Sequence, residues 1–324
     1  MSLLSAAYGQ VVGVRNRLYD RGIFESRTLA GPVISVGNIS VGGSGKTPFV
    51  IYLGELLRQR SIPFDVLSRG YGRKTRGVLV VRSEGSPGDF GDEPVLIAQR
   101  LECPVVVGAS RYRAGQFAER LFGPQLHLLD DGFQHRHLAR DFDIVLLTPE
   151  DVFDHLLPDG RLREPTASLK RADAVVITGD VDIDHLPLKG KFIWRVERSL
   201  SLSEPPKRAL VFCGIGRPKQ FVQQLKRASI EVVAHKFYPD HHAYTEKDIR
   251  ELVKWREQEH GEGFITTEKD AVNLGSRSER LGGVLVARAV LTLPHPADAL
   301  DTILRVIRER RPAHEKILLS THTQ

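Results

Sequence analysis

Short apolar segments alternate with amphipathic segments along the first half of the chain. Runs rich in Val, Ile and Leu, such as Val33–Ile39, Pro104–Val107 and Asp143–Leu147, have the length of buried strands. The segments between them repeat apolar residues every three or four positions, as over residues 47–60 and 93–101. Continuous apolar strands that alternate with helices are typical of a parallel sheet covered on both faces. The pattern therefore predicts an α/β fold with a doubly wound, mostly parallel sheet.

The pattern changes near residue 190. A strand-like run, Lys191–Val196, is followed by the polar, proline-containing segment Ser199–Lys207. Another strand, turn and helix then begin at Ala209–Cys213, which predicts a second, smaller α/β unit. We predict an N-terminal amphipathic helix over 1–22, a large domain over 23–196, a smaller α/β domain over 207–296, a C-terminal helix over 297–311 and a frayed polar tail.

The composition is that of an ordinary globular protein. The 324 residues are 41% hydrophobic and 27% charged, and no apolar run is long enough to cross a membrane. The N-terminus lacks the features of a signal peptide, so we expect none. The two cysteines, Cys103 and Cys213, cannot form a disulfide framework, and we interpret both as buried thiols of a reducing compartment. A net charge of +6 fits an anionic partner: a nucleotide, a nucleic acid, a phospholipid surface or a phosphorylated substrate.

The first 22 residues combine an apolar stripe with arginines. Leu4, Val11 and Leu18 recur at roughly helical spacing, and Arg17 and Arg21 lie at the end of the stripe. Such a helix can lie on an anionic membrane surface. On these residues alone, a helix that packs on its own domain is the preferred interpretation.

A glycine-rich turn that ends in Lys46 and Thr47 lies between the first strand and the helix after it. Glycines let backbone N–H groups face phosphate oxygens, and the N-terminus of the helix favours the same anion. Lys46 would contact the β- and γ-phosphates, and the Thr47 hydroxyl would ligate Mg²⁺. Ser40 stands where the usual motif has its first glycine, so a chance turn is the alternative. The residues predicted to bind a nucleoside triphosphate are Ser40, Val41, Gly42, Gly43, Ser44, Gly45, Lys46 and Thr47.

Two acidic residues, Asp130 and Asp131, follow the apolar strand Gln125–Leu129. Enzymes with a phosphate-binding loop place the acid that holds Mg²⁺ at such a strand end. One aspartate could contact the metal directly or through water, and the other could hold a neighbour or a second metal. A simple Asp-Gly turn is the alternative on this segment alone.

A second acidic pair, Asp92 and Glu93, lies just before a predicted helix. Adjacent carboxylates repel each other unless a cation or a proton is near. A phosphoryl-transfer enzyme needs a residue that orients the acceptor hydroxyl and accepts its proton, and Asp92 is a candidate. The alternative is that Asp92 caps the helix, which the segment by itself favours.

Basic residues gather in the glycine-rich loop Ser68–Lys74 and at the start of a later helix. Arg69, Arg73 and Lys74 could bind anionic groups of a substrate, and Arg111 could do the same. A solvated basic face is an equally good interpretation.

Three further patterns are weaker. Gly214–Gly216 follows a strand as a dinucleotide-binding turn would, but the third glycine of that motif is missing. The histidines at 135, 137, 241 and 242 lack the partners of a zinc site, so a histidine that pairs with a carboxylate is the better interpretation. Thr267–Asp270 resembles a guanine-reading motif, but Glu268 and Lys269 stand in the wrong order.

Taken together, these segments resemble those of the tetraacyldisaccharide 4′-kinases, a family of lipid kinases. The matching segments follow the family's order and cover most of the chain to about residue 274. Ser40 is no departure within this family, which has serine or threonine at that position. The matching segments are Val36–Pro48, Ser68–Lys74, Gly91–Pro94, Asp130–His135, Leu162–Pro165 and Phe237–His241.

The resemblance implies a peripheral, monomeric enzyme at the cytoplasmic face of the bacterial inner membrane, with no nucleic-acid partner. With Mg²⁺, it would transfer the γ-phosphate of ATP to the 4′-hydroxyl of tetraacyldisaccharide 1-phosphate and yield lipid IVA. It also implies a P-loop NTPase-like domain and a smaller α/β domain joined by a short, two-stranded β linker. The N-terminal stripe would then contact the membrane.

The same resemblance implies roles for the matching residues. Asp92 would act as the base for the 4′-hydroxyl, His241 would be its partner, and Lys46 would stabilise the transferring charge. Thr47, Asp131 and Glu164 would serve Mg²⁺, directly or through water. The implied supporting and substrate-binding residues are Asp130, Gln134, His135, Arg69, Arg73, Lys74 and Arg111.

Two other classes of function remain open on the sequence. A P-loop ATPase switch carries an additional lysine near the start of its loop, and Val41 occupies that position here. A non-enzymatic, nucleotide-gated protein could bind membrane lipid through residues 1–22. Turnover of ATP with a lipid acceptor distinguishes both from a kinase.

Overall fold

The strands of the computed structural model, which describes residues 2–312, form one continuous sheet. The tail predicted to fray lies outside the described residues. The strands are β1 (Val33–Asn38), β2 (Phe64–Ser68), β3 (Leu79–Val80), β4 (Val105–Val107), β5 (Leu126–Asp130), β6 (Phe142–Leu147), β7 (Ala174–Thr178), β8 (Phe192–Ser201), β9 (Ala209–Cys213), β10 (Val232–Phe237), β11 (Gly263–Thr267) and β12 (Val284–Thr292). Their order across the sheet is β10-β9-β11-β12-β8-β7-β6-β1-β5-β2-β4-β3.

Helices cover both faces of this sheet. Two short 3₁₀ helices span Thr166–Arg171 and Gly275–Leu281. The α-helices are α1 (Leu3–Asp20), α2 (Lys46–Gln59), α3 (Pro87–Phe90), α4 (Asp92–Leu101), α5 (Arg111–Phe122), α6 (Pro149–Phe153), α7 (Pro218–Arg227), α8 (Glu246–Gln258), α9 (Glu268–Leu274) and α10 (Pro296–Arg310).

Strands β1 to β7 and the helices packed on them form what we call the large lobe. β1 lies between β5 and β6, parallel to both, and each of its residues is buried. The short edge strand β3 is antiparallel to β4. Helix α10 returns to this lobe, where Leu300 and Ile303 share a core with Phe49 and Leu57 of α2. The predicted doubly wound, mostly parallel sheet is confirmed.

Strands β9 to β12, with helices α7 to α9, form the small lobe. β10, β9, β11 and β12 pair in parallel. Phe221 and Leu225 of α7 pack on one face of the sheet, and Leu252 of α8 and Phe264 pack in a second cluster. The small lobe therefore has hydrophobic cores of its own.

Strand β8 joins the two lobes. It pairs in parallel with β7 and antiparallel with β12. We predicted that this strand ends at Val196 and that a polar connection begins at Ser199, which is wrong because β8 continues to Ser201. A two-stranded ribbon has faces open to water, so its exposed polar residues do not form the apolar run that marks a buried strand.

Other local predictions also differ from the structure. The strand expected over Gly77–Val81 covers only Leu79–Val80, and the short helices α3, α6 and α9 were missed. Cys213 is buried in β9 as expected, whereas Cys103 is only partly buried and lies in the connection before β4. Both are free thiols.

A charged cluster is buried where β2 and β5 begin, at the edge of the sheet away from their carboxyl ends. Nδ1 of His127 lies 2.8 Å from Oδ1 of Asp65, and Nε2 lies 3.2 Å from Oε1 of Glu119. Burial lowers the pKa of His127, but the hydrogen bonds to Asp65 and Glu119 outweigh it and raise this pKa to about 9. The imidazolium is therefore part of the large lobe's interior.

Helix α1 lies on the surface of the large lobe. Its inner residues Ser5 and Val12 are buried, while Leu3 is 91% and Val11 is 67% exposed. Tyr8 donates a hydrogen bond from its hydroxyl to the carbonyl of Arg163 at 3.1 Å. Within the described chain, no helix is both long and apolar enough to span a bilayer.

Candidate active site

A cavity of about 740 Å³ lies between the two lobes. The loop after β1, the start of α2 and the ends of β2 and β5 line one side of it. Residues of the β9–α7 turn, the loop after β10 and the start of α9 line the other side. The carboxyl ends of parallel strands are where open α/β sheets bind ligands, so this cavity is the candidate active site.

The glycine-rich loop after β1 has the backbone of a phosphate-binding loop. Gly42, Gly43 and Gly45 have φ of 70°, 62° and 86°, and Gly45 is the N-cap of α2. Positive φ favours glycine, so the pattern of glycines follows from the shape of the loop. Ser40 needs no such freedom, because it is buried in a bridge to Leu162.

Asn38, at the end of β1, holds this loop together. Its amide nitrogen donates to the hydroxyls of Ser44 at 2.7 Å and Ser40 at 3.2 Å. Its amide oxygen accepts from Nζ of Lys46 at 3.2 Å. The lysine is therefore held at the mouth of the loop by a buried side chain.

Asp131 neutralises the cations around the loop. Its Oδ1 lies 3.5 Å from Nζ of Lys46, and the guanidinium of Arg163 binds both of its oxygens at 2.8 and 3.0 Å. Burial raises the pKa of Asp131, but Lys46 and Arg163 outweigh it and lower this pKa well below its usual range. Asp131 is thus a carboxylate at the same point where Lys46 meets the cavity.

Asp130 lies deeper and is less well paired. Oδ2 accepts from the hydroxyl of Ser68 at 3.0 Å, while the buried Oδ1 has no hydrogen-bond partner. Burial, together with the charges of Glu93 and Asp131, raises its pKa to about 7. An unpartnered carboxylate oxygen beside a phosphate-binding loop fits a divalent cation, because Mg²⁺ takes oxygen ligands.

Asp92 and His241 meet across the boundary between the lobes. Nδ1 of His241 lies 2.9 and 3.0 Å from the two oxygens of Asp92. Asn273 donates its amide N–H to Oδ2 of Asp92 at 3.1 Å. The contact joins the start of α4 in the large lobe to the loop after β10 in the small lobe.

The environment of Asp92 keeps it ionised. Burial raises its pKa, but the hydrogen bond from His241 and the charge of Lys269 outweigh burial and lower it. The alternative that Asp92 caps its helix is wrong, since the N-cap is Gly91 and Asp92 is the first helical residue. His241 lines the cavity, while the Asp92 carboxylate is nearly buried behind it.

Two of the predicted basic residues lie near the phosphate site, one on the cavity wall and one buried outside it. Arg69 lines the cavity. Arg111 is buried, its Nε has no hydrogen-bond partner, and burial lowers its pKa to about 10 despite the charges of Asp131 and Asp130. A buried guanidinium with an unused N–H beside this loop fits an anionic group.

Arg73 and Lys74 are turned away from the cavity. Arg73 donates to the carbonyl of Gly77 at 2.5 Å, and the Lys74 side chain is exposed. Neither residue lines the cavity walls.

The remaining predicted residues support the site from outside. Gln134 donates to the carbonyl of Asn38 at 2.8 Å. Nε2 of His135 accepts from the backbone N–H of Arg111 at 3.3 Å. Burial and the charge of Arg111 lower the pKa of His135 to about 3, so this histidine is neutral.

Glu164, a predicted metal residue, is engaged elsewhere. Its two oxygens accept from Arg171 at 2.9 and 3.1 Å, and Asn16 of α1 donates to it at 2.7 Å. It does not line the cavity. Glu164 therefore links α1 to the loop that carries Arg163, and its oxygens are not directed at the phosphate site.

Several residues of the site were missed by sequence reasoning. Arg163 stands in the matching segment Leu162–Pro165 but had no predicted role, and the segment around Lys269 was compared only with guanine readers. Arg217 was missed as well: it donates to Glu150 at 2.9 Å and to the Thr148 hydroxyl at 3.1 Å. Asn38 and Asn273 were also missed, because their uncharged side chains do not stand out in the sequence as residues of a charged site.

The β9–α7 turn, which resembled a dinucleotide-binding turn, packs on the glycine-rich loop. A Cβ on Gly43 would lie 2.5 Å from Cγ of Arg217, so only glycine fits beneath this side chain. The described residues contain no group of three or more His, Cys, Asp or Glu side chains arranged to hold a metal ion.

Comparison with known proteins points to one family. The family model described as tetraacyldisaccharide-1-P 4′-kinase matches residues 1–308. A tetraacyldisaccharide 4′-kinase of Koribacter versatilis is 49% identical over 321 residues, which is 96% of this chain and 100% of that protein. The corresponding protein of Aquifex aeolicus is 39% identical over 287 residues, 83% of this chain and 88% of that protein. A crystal structure of LpxK from Aquifex aeolicus in complex with ATP matches with a TM-score of 0.75 and 35% identity, covering 94% of this chain and 97% of that chain.

Proposed function

The chain belongs to the tetraacyldisaccharide-1-P 4′-kinase family, and from this premise we propose how its own residues carry out the reaction. The enzyme transfers the γ-phosphate of ATP to the 4′-hydroxyl of tetraacyldisaccharide 1-phosphate, a step of lipid A biosynthesis that gives lipid IVA. The observation that carries the residue assignment is the Asp92–His241 pair, which comes from two lobes and meets beside the glycine-rich loop.

The phosphates of ATP bind in the loop from Ser40 to Thr47. The backbone N–H groups of this loop and the N-terminus of α2 face the phosphate oxygens. Lys46 leaves Asn38 and Asp131 to contact the β- and γ-phosphates and stabilises the charge that moves between them. Arg163 keeps Asp131 in place while this happens.

Mg²⁺ would be held by the Thr47 hydroxyl together with Asp131 and the free oxygen of Asp130. The chemistry of these donors fits Mg²⁺, since all three offer oxygen. The ion neutralises charge on the β- and γ-phosphates when it is bound. Through Arg171, Glu164 positions the loop that carries Arg163.

Asp92 orients the 4′-hydroxyl and accepts its proton, while His241 donates a hydrogen bond to Asp92. Phosphoryl transfer depends on positioning and charge neutralisation, so one carboxylate near the acceptor is sufficient as a base. Arg69, on the cavity wall, and Arg111, near Asp130 and Asp131, would bind anionic groups of the substrates.

The acceptor is a membrane lipid, and α1 provides the membrane contact. Its outer face exposes Leu3, Leu4, Val11 and Val14, and arginines follow at its end. Apolar side chains with neighbouring arginines bind the surface of an anionic bilayer. We place this contact at the cytoplasmic face of the inner membrane.

The kinase assignment is tested with γ-labelled ATP, Mg²⁺ and detergent-dispersed tetraacyldisaccharide 1-phosphate. Label on the 4′ position of the lipid is the expected result. ATP hydrolysis at the same rate with and without lipid, with no label on any disaccharide, would support a switch-type ATPase instead. Val41 already disfavours that class, because it replaces the additional lysine of such switches.

The membrane contact is tested separately by flotation with vesicles of phosphatidylethanolamine and phosphatidylglycerol. Leu4→Asp with Val11→Asp should reduce the bound fraction at least about fivefold, because each aspartate loses apolar burial and is repelled by anionic lipid. Activity on detergent-dispersed acceptor should remain. Leu121→Asp, at another exposed leucine on α5, is the matched control. Equal flotation of all three proteins would contradict the assignment of α1.

A further inference from the structure

A partly buried lysine of the cavity wall, Lys269, lies beside the Asp92–His241 pair and has no role in the steps proposed for catalysis. Nζ of Lys269 lies 2.9 Å from Oδ1 of Asp240, 3.2 Å from Nε2 of His241 and 3.6 Å from Oε1 of Glu93. Its side chain is 15% exposed. Lys269 is the second residue of α9 in the small lobe, and its Nζ also lies 3.9 Å from Oδ2 of Asp92, so it contacts both members of the pair.

These contacts constrain the protonation of His241. An ammonium group only donates hydrogen bonds, so the contact with Lys269 requires a lone pair on Nε2 of the ring. A neutral ring with a lone pair on Nε2 carries its proton on Nδ1, and Nδ1 faces both oxygens of Asp92. The imidazolium would direct an N–H at the ammonium, and the other neutral tautomer would direct a lone pair at the carboxylate. One protonation form satisfies both neighbours.

We propose that Lys269 is a positioning residue that holds His241 in the neutral form with its proton on Nδ1, facing Asp92. This inference rests on the proposed role of Asp92 as the base. As the bond from the 4′-oxygen to the γ-phosphorus forms, the bond to the β–γ bridging oxygen breaks, ADP leaves and the hydroxyl proton passes to Asp92. The ammonium of Lys269 also stabilises the Asp92 carboxylate, but from 3.9 Å, whereas an imidazolium would place its charge at 2.9 Å. With a neutral His241, Asp92 is therefore the stronger base.

Two other groups face His241: Asp240 opposes the effect of Lys269 on its protonation, and Tyr71 contributes ring packing. Oδ2 of Asp240 lies 3.9 Å from Nε2 and favours the imidazolium, but Lys269 binds the other oxygen of the same carboxylate. The ring of Tyr71 packs at 5.0 Å. Burial lowers the pKa of His241, the hydrogen bond to Asp92 raises it and Lys269 lowers it, with a raised value as the result. Removal of Lys269 therefore moves the pKa of His241 further up.

The kinetic test is the pH profile of kcat/KM for Lys269→Met. Near pH 7 we expect a loss of about 10²-fold that shrinks to about tenfold or less near pH 9.5, because His241 then loses its additional proton. The KM for ATP should change little. Lys269→Arg keeps a donor at this position and should keep the acid limb within about half a pH unit of the native enzyme. Lys254→Met, at an exposed lysine of α8, is the control for the loss of one charge.

The protonation state is read directly by ¹⁵N NMR of the full chain labelled at histidine. The ring signals of His241 are assigned by their loss in His241→Gln. In the native protein near pH 8 we expect the proton on Nδ1, and in Lys269→Met the imidazolium at the same pH. A native ring protonated on Nε2, or a Lys269→Met protein slowed equally at all pH values, would overturn the proposal.

Folding and the base assignment are controlled in the same experiment. Thermal unfolding and ATP affinity establish that Lys269→Met is folded, and Lys269→Arg tests the proposal if that variant is not. Full activity in Asp92→Asn would contradict the proposal that Asp92 is the base. An inactive Asp92→Asn beside an unchanged pH profile in Lys269→Met would reject the role of Lys269 alone.

Discussion

The two halves of the active site are built in different ways. The phosphate-binding half is one continuous segment, in which Asn38, Ser44 and Lys46 hold each other within the large lobe. The half that activates the hydroxyl is divided, since Asp92 belongs to the large lobe and His241 to the small one, 149 residues away. The geometry of this second half depends on contacts between charged groups at the boundary of the lobes.

This difference separates binding from chemistry. The hydrogen bonds that hold the phosphate-binding segment lie within the large lobe, so nucleotide binding there does not require His241. The Asp92–His241 pair exists only while the lobes are together. Closure can therefore complete the base and exclude water at the same moment, which limits transfer of phosphate to water.

The largest effect is expected in the continuous half. Lys46→Ala should lower kcat/KM about 10³-fold and weaken ATP binding, because the transferring phosphate loses its cation. Single-turnover transfer of label and ATP affinity by fluorescence measure the two effects. Lys247→Ala, at an exposed lysine of α8, is the control. Residual activity within about tenfold of native would mean that the loop acts without this lysine.

A smaller and more selective effect is expected in the divided half. Asp92→Asn should lower kcat about 10²-fold with ATP affinity unchanged, because an amide cannot accept the hydroxyl proton. Asp89→Asn, at an exposed residue of the neighbouring short helix, is the matched control. A parallel loss of ATP affinity in Asp92→Asn would show that the two halves are not separable in this way.

The smallest expected effect is on the pH dependence of the free energy of unfolding. It contrasts the buried His127 cluster with the active site. The pKa of His127 is raised to about 9 in the folded protein. Its contribution to folding is therefore complete below the unfolded pKa of about 6.5 and is lost as pH rises through about 9. From about pH 6 to about pH 8.5 the free energy of unfolding should fall by about 2 kcal/mol more in the native protein than in His127→Gln. Urea unfolding at the two pH values measures this difference, and equal slopes would contradict it.

The pH responses of the two regions should consequently oppose each other. The His127 cluster weakens as pH rises, while the Asp92–His241 pair becomes a better base as His241 stays neutral. The activity of the native enzyme can therefore rise with pH over a range where its large lobe becomes less stable.

The continuous half was predictable from the sequence, and the divided half was only partly so. Gly42 and Gly45 have positive φ, which favours glycine, so the local sequence was sufficient to locate the loop. The doubly wound sheet followed from buried apolar strands for a similarly local reason. The pairing of Asp92 with His241 came from a family resemblance, since no local pattern joins residues so far apart.

The contacts of Arg163, Lys269 and Asn273 could not be predicted, because they depend on how distant loops meet. Glu164 illustrates the converse: its motif was recognised, but its carboxylate binds Arg171 and Asn16. The length of β8 was missed because hydrogen bonds to β12, and not an apolar run, keep its second half extended.

Strand β8 also determines how the lobes can move. Its backbone belongs to both ladders, so the lobes can turn about it by torsion of a β-ribbon while their hydrogen bonds stay intact. The outer strand β10 lies four strands from β8, which at normal strand spacing is a lever arm of about 19 Å. A torsion of about 10° then carries the loop after β10 through about 3 Å, which is enough to separate His241 from Asp92. A small angular change at the ribbon would thus make or break the catalytic pair.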